Sequence, residues 1–365
     1  MKNNQTAQTR KTSAFFTTQI DRLITKPVRL MEVCGTHTVA IFKAGVRQLL
    51  PRQVELVSGP GCPVCVTPNG FLDTAVAYSR REDVIITTFG DMLRVPGSSS
   101  SLSAEKAAGA DIRMVYSPLD SLDIAVANPQ KKIIFLAVGF ETTAPTAAAS
   151  VLAAEAAGLS NFFVLSAHKL VPPALRALLT AAEVQVDGFL LPGHVSAIIG
   201  EEPYRFLIEE YNIPAVIAGF EPLDILQSVY MLARQIAAGT AALENQYSRI
   251  VKPEGNPTAR QVLARVYGEA DANWRGIGVI PGSGLAVRDG YRRFDAMMSL
   301  PVEVEKTREP AGCRCGEVLR GVIKPTQCPL FGKTCFPERP VGSCMVSVEG
   351  TCAAWYKYGD GRWQG

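Results

Sequence analysis

The residues of this chain that could do chemistry lie in two groups far apart in sequence. Of nine cysteines, Cys34, Cys62 and Cys65 lie near the start; Cys313, Cys315, Cys328, Cys335, Cys344 and Cys352 lie near the end; none falls between. Cys34 opens the run Cys-Gly-Thr-His-Thr at 34–38, where a predicted strand gives way to a helix. Backbone N–H groups and the helix dipole favour thiolate at such a place, and a thiolate is a nucleophile or a soft metal ligand. His37, three residues on, is suited to be a second ligand, a proton carrier or a hydrogen-bond donor to whatever the sulfur holds. A buried cysteine beside a hydrogen-bonded structural histidine is the alternative for this pair. Cys62-Pro63-Val64-Cys65 is a Cys-X-X-Cys pair, able to close a reducible disulfide or grip a metal with two sulfurs. A helix starting just after it would depress the thiol pKa. No second such pair stands nearby to complete a zinc tetrad, so thiol exchange is the favoured reading. The residues around it are not those of a thioredoxin.

Four thiolates from the C-terminal six could hold a [4Fe–4S] cluster or zinc, and sulfur-only ligation does not separate the two. The spacing is neither the ferredoxin run nor the paired Cys-X-X-Cys of zinc ribbons. Six sulfurs exceed one tetrad, leaving room for spare thiols or a redox pair beside the metal. His168 and His194 each follow a predicted strand, as His37 does, and Glu141 heads a similar loop, which points to a shared cleft. No Walker sequence and no Gly-x-Gly-x-x-Gly follows a strand, so a nucleotide cofactor has no support.

These residues must be positioned by a sizeable body. A chain of 365 residues, 47% hydrophobic and 19% charged, has material for two or three domains. A net charge of +3 without a long basic run argues against nucleic acid or an anionic membrane as the main partner. No run of 18 apolar residues occurs, and residues 1–18 are polar with no secretory h-region, so a reducing cytoplasmic setting is expected, where clustered cysteines mean metal or redox chemistry. Strand-like segments at 28–33, 53–57, 83–89, 113–116, 132–138, 162–165, 188–191 and 215–218 alternate with helical ones, among them 39–50 and 71–80. That is the signature of parallel sheets covered on both faces. Four strands run into Gly- or Pro-containing loops that begin at Cys34, Ser58, Gly139 and Pro192, the ends at which open α/β sheets bind ligands. Residues 96–103, rich in serine, read as a mobile or solvated loop. A helix at 258–267 and a broken strand at 277–287 follow, and beyond about Pro301 the alternation stops. The predicted fold class is therefore α/β: two Rossmann-like parallel-sheet domains, 1–125 and 126–300, and a small metal-organised domain, 301–365.

Taken together, Cys-Gly-Thr-His-Thr at 34–38, Gly-Pro-Gly-Cys-Pro-Val-Cys at 59–65, Gly-Phe-Glu-Thr-Thr at 139–143, Pro-Gly-His-Val-Ser at 192–196 and the block from Cys315 to Tyr358 resemble the HypD family of [NiFe]-hydrogenase maturation proteins. The resemblance implies a redox-active scaffold rather than a turnover enzyme, carrying a [4Fe–4S] cluster. On it, with the small partner HypC, the Fe(CN)2CO group is assembled from cyanide delivered by HypE. It implies that Cys34 holds the iron with His37 beside it, that Cys62 and Cys65 exchange electrons, and that four of Cys315, Cys328, Cys335, Cys344 and Cys352 ligate the cluster, Cys313 being the most dispensable. It also implies a monomer working within a HypC–HypD complex. From the residues alone, a cytosolic thiol-disulfide oxidoreductase or an interaction module with a structural zinc domain remains the alternative.

Overall fold

A computed structural model describes residues 2–359. Strand β1 (Val28–Glu32) pairs on one side with β2 (Val54–Ser58) and on the other with a strand from much later in the chain. The intervening strands are β3 (Val84–Thr88), β4 (Ile112–Met114), β5 (Lys132–Ala137) and β6 (Phe162–Ser166), followed by β7 (Gly188–Pro192), β8 (Ala215–Ala218) and β9 (Leu243–Asn245). They form two wholly parallel sheets, one ordered β2-β1-β7-β8-β9 and the other β4-β3-β5-β6. The inner strands β5, β7 and β8 are near-continuous runs of buried apolar residues, as strands covered on both faces must be. The α/β class read from the alternation is what the molecule has.

The strand pairing does not follow the expected boundaries at 125 and 300. The first sheet takes two strands from 28–58 and three from 188–245, and the second is an insertion between them. Register shows why: Leu30, Met31 and Glu32 face Gly188, Phe189 and Leu190, and the two strands share one buried face with Ala215 and Ile217. In each sheet the order reverses beside the strand that opens the unit, β1 in one and β3 in the other. Such reversal points leave a crevice at the strand ends.

Three further expectations are revised. The N-terminal stretch, read only as polar, forms a helix, Lys2–Leu23, whose Phe16 and Ile20 pack on the helix Pro222–Ala238, Phe16 meeting Tyr230 at 5.6 Å between ring centroids. The helix expected at 258–267 stops at Val266, because Tyr267 begins β10 (Tyr267–Trp274), which pairs antiparallel with an unbroken β11 (Gly278–Val287) through a bulge at Ala270/Ala272. The serine-rich patch is anchored: the Ser98 N–H and hydroxyl donate to the Asp73 carboxylate, both at 2.7 Å, and Ser101 caps the helix Leu102–Ala107.

The C-terminal segment has no core of its own. Cys315, Val318, Leu319, Cys344, Met345 and Cys352 are buried in one apolar cluster with Met31, Val57, Cys65 and Trp274 of the body. Arg29 donates to the Gly321 carbonyl at 2.8 Å, and Lys324 pairs with Glu55 at 2.8 Å. So short a segment has too little apolar surface to fold alone, and it buries what it has against the first sheet. No helix among the described residues is long and apolar enough to cross a membrane.

Candidate functional site

Cys34 follows β1 after one residue and is the N-cap of the helix Gly35–Lys43. The Gly35 N–H donates to the Gly61 carbonyl at 2.9 Å, which fixes this loop against the one that carries Cys62 and Cys65. Gly61 is obligatory: a Cβ there would lie 2.5 Å from Cys34 Cα and closer still to Cys34 N. Cys62 caps the short helix Pro63–Val66, its sulfur 3.3 Å from the Cys65 N–H and 2.6 Å from Cys65 Sγ.

The expected easy ionisation of Cys34 and Cys65 is not what the fold produces. Burial pushes Cys34 up to about 11, the Glu349 carboxylate adding to the shift and N–H groups of His37 and Thr36 only partly offsetting it. Burial raises Cys65 as well, with Cys344 and Cys62 adding to it. The reason is one of magnitude. A helix N-terminus contributes about 0.3–1 kcal/mol to an anion, whereas stripping water from a charge costs several kcal/mol. These sulfurs are protonated until a cation displaces the proton, which is the usual coupling between metal binding and thiol ionisation.

His37 is fully buried. Its Nε2 lies 3.2 Å from the Ala218 carbonyl and 3.0 Å from that of Gly219, and is therefore the protonated nitrogen of a neutral ring. Burial lowers its pKa to about 4. His37 thus pins the Cys34 helix to the end of β8, and its Nδ1 is buried without a partner. Phe220 lies between two histidines, stacked on His37 at 4.7 Å and on the exposed His194 at 3.9 Å. The loops after β1, β7 and β8 therefore meet at the reversal point of the first sheet, with Cys34 among them. His168 is not part of this group. It belongs to the other sheet, packed edge-on against Tyr267 at 5.7 Å, and burial lowers it to about 3. Glu141 is also apart, its Oε1 accepting the Val171 N–H at 2.8 Å and its carboxyl raised by burial to about 7.

Sequence reasoning missed Glu349, Phe220, Glu32 and Arg275. Thr36 donates to Glu349 Oε1 at 2.6 Å, which brings a carboxylate of the C-terminal segment to the Cys34 loop. Its only trace in sequence is its place between Cys344 and Cys352. Phe220 follows β8 and was open to the same strand-end rule that found the histidines. Glu32, fully buried, accepts from Ser58 at 2.6 Å and Thr38 at 3.0 Å; a charged residue inside an apolar strand was the signal.

The C-terminal cysteines reach the same place from the other side. Cys344 is a near neighbour of Cys65, Cys315 and Cys352, and Cys315 of Cys313. The Ser343 hydroxyl donates to the Cys65 carbonyl at 2.9 Å, which clamps the two segments together. Cys313, Cys315, Cys328, Cys335 and Cys352 line a small void closed by Leu330, Phe331 and Met345. Gly342 is at its wall, where a Cβ would come within 2.6 Å of Cys315 Sγ and 2.8 Å of Cys313 Sγ. Cys313, expected to be dispensable, lines this void, and Cys344 adjoins Cys315 and Cys352 as well as Cys65. Among the described residues, no three His, Cys, Asp or Glu side chains are arranged to hold a single metal ion. The sulfurs surround a space rather than a point, and that all-thiol, apolar setting fits a sulfur-ligated cluster.

A match to the HypD family, described as the hydrogenase formation hypA family, runs over residues 11–359. The chain belongs to the HypD family. It is 49% identical to the hydrogenase maturation factor HypD of Escherichia coli K12, over 91% of this chain and 90% of that one. It is 48% identical to HypD of Rhodobacter capsulatus, over 94% and 93%. A putative hydrogenase expression/formation protein of Methanocaldococcus jannaschii is 45% identical over 93% of both chains. All the cysteine-bearing loops described above fall within the span matched to the family.

Proposed function

We propose that this chain is a hydrogenase maturation factor that works within a maturation complex, as a scaffold on which the Fe(CN)2CO group is built with HypC, using cyanide handed over by HypE. The observation that carries this reading is the continuity of sulfur. Cys34 is bonded through Gly35 and Gly61 to the loop of Cys62 and Cys65, and the Cys65 carbonyl accepts from Ser343, the residue next to Cys344 of the C-terminal group. One crevice thus holds a place for iron and a path for electrons.

Iron is the cargo here. Cys34 gives its proton up to solvent or to the Glu349 carboxylate as its sulfur takes the ion, and a soft thiolate suits the low-spin Fe(II) that CO and cyanide favour. His37 is already committed through Nε2 to two carbonyls, and it orients the Cys34 helix rather than carrying protons. Cys62 and Cys65, closing from dithiol to disulfide, release two electrons and two protons. Four thiols drawn from Cys313, Cys315, Cys328, Cys335 and Cys352 would hold a [4Fe–4S] cluster, which when bound supplies or accepts single electrons. Cys344 lies between that group and Cys65.

The test is Cys34→Ala in the chain purified anaerobically with HypC, read by the infrared stretches of iron-bound CO and cyanide. Bands lost in the variant support the reading; bands of undiminished intensity refute the role of Cys34. Iron and labile sulfide in the same preparation decide the second half, since protein holding one zinc and no labile sulfide would overturn the cluster.

A further inference from the structure

Arg275 is a cation placed where its charge has almost nothing to meet. It follows β10, is 3% exposed, and its backbone N–H donates to the Val66 carbonyl at 2.8 Å, at the end of the Cys62–Cys65 loop. Nη1 and Nη2 are both buried without a hydrogen-bond partner. Its nearest carboxylate, Glu309, is 3.8 Å from Nε and mostly exposed. The segment is held tightly against the cysteine group, because a Cβ on Gly276 would lie 2.8 Å from Gly316 N, and one on Gly316 would lie 2.7 Å from Gly276 Cα. A guanidinium never gives up its proton in a protein, and a buried charge without a partner costs several kcal/mol. Such a group is retained where an anion stands. Gly276 packs on Gly316, so Arg275 stands beside the backbone that carries Cys315 and, two residues earlier, Cys313.

We propose that Arg275 is the fixed counter-charge of the C-terminal sulfur group, a positioning residue that raises the reduction potential of the cluster held beside it. The inference rests on the cluster reading above. A cluster ligated by four thiolates is anionic, and each electron that enters adds one negative charge. A cation fixed in a dry interior favours the reduced state more than it would in water. The backbone N–H of Arg275 also ties this segment to Val66, at the end of the thiol-pair loop.

The experiment uses the full chain, purified anaerobically as wild type, R275Q, R275K and E309Q. Iron and labile sulfide are counted, and the reduced fraction is followed by absorbance and electron paramagnetic resonance during a redox titration. At the potential where the wild-type cluster is half reduced, the reduced-to-oxidised ratio of R275Q should fall at least about threefold, which is ~30 mV for one electron. R275K should lie close to wild type. E309Q, which removes the carboxylate paired with Arg275, should move the ratio the other way. Loss of iron and sulfide from a folded R275Q that R275K retains also supports the proposal. Full loading with an unchanged ratio in R275Q overturns it. Should R275Q fail to fold, E309Q decides, and an unchanged ratio there overturns it equally. Wild-type protein without iron and sulfide would overturn the cluster reading itself, and this inference with it.

Discussion

Replacing Gly61 by Ala tests whether one backbone contact holds the site together. An alanine Cβ would lie 2.5 Å from Cys34 Cα. Carbon atoms prefer about 3.5 Å or more, so one loop must retreat by about 1 Å. What the new methyl meets is backbone, and no change of rotamer relieves it. The retreat strains the Gly35 N–H to Gly61 carbonyl bond of 2.9 Å and the turn closed by the Gly61 N–H on Gly59 at 2.8 Å. Overpacking costs about 1–3 kcal/mol and a lost hydrogen bond about 0.5–1.5 kcal/mol, together about 2–4 kcal/mol. A penalty of that size raises local opening by roughly 30- to 1000-fold. Hydrogen–deuterium exchange with peptide resolution reads it directly. Protection over 28–40 should drop within that range, while β3 in the other sheet stays protected and serves as an internal reference. Unchanged protection over 28–40, with an unchanged urea midpoint, would refute the claim that Gly61 is what couples Cys34 to the Cys62–Cys65 loop.

Two other outcomes follow from the geometry. Gly342→Ala places a methyl against two sulfurs of the C-terminal group, so the purified variant should hold markedly less iron and labile sulfide than wild type while β1 and β2 retain their exchange protection; full loading would show that the void yields. His168, lowered to about 3 by burial, gives a pH effect of definite sign. Below about 6.5 the unfolded chain takes up a proton there that the folded chain refuses, so acid removes up to about 1.4 kcal/mol of stability per pH unit from this one residue. Glu141, raised to about 7, acts in the opposite sense, because the folded chain takes its proton first. His168→Gln should therefore lose less stability than wild type between pH 7 and pH 5, measured by urea unfolding; equal losses would contradict the neutral, buried state of His168.

Much of this was legible in the chain because strand periodicity is local. β3, β5, β7 and β8 fall within a residue or two of the apolar runs that announced them, and the loops carrying Cys34, Cys62 and His194 are at strand ends as the alternation required. The helix containing residues 8–23 was overlooked because its apolar residues are few and spaced for one partner, the helix Pro222–Ala238, which only the folded chain supplies. The serine patch looked mobile for the same reason: its anchor, Asp73, lies 25 residues away.

The sequence by itself determined the α/β class and the family, since residue type and short spacing suffice for those. Only the tertiary structure decided that β1 pairs with β7 across a whole inserted sheet, that the C-terminal cysteines share a core with the first, and that Cys344 meets Cys65. It also reversed the expected ionisation of Cys34 and revealed Arg275 as a buried cation whose terminal nitrogens have no hydrogen-bond partner. Those properties depend on what surrounds a group after water has left, and desolvation is set by residues hundreds of positions away in the chain.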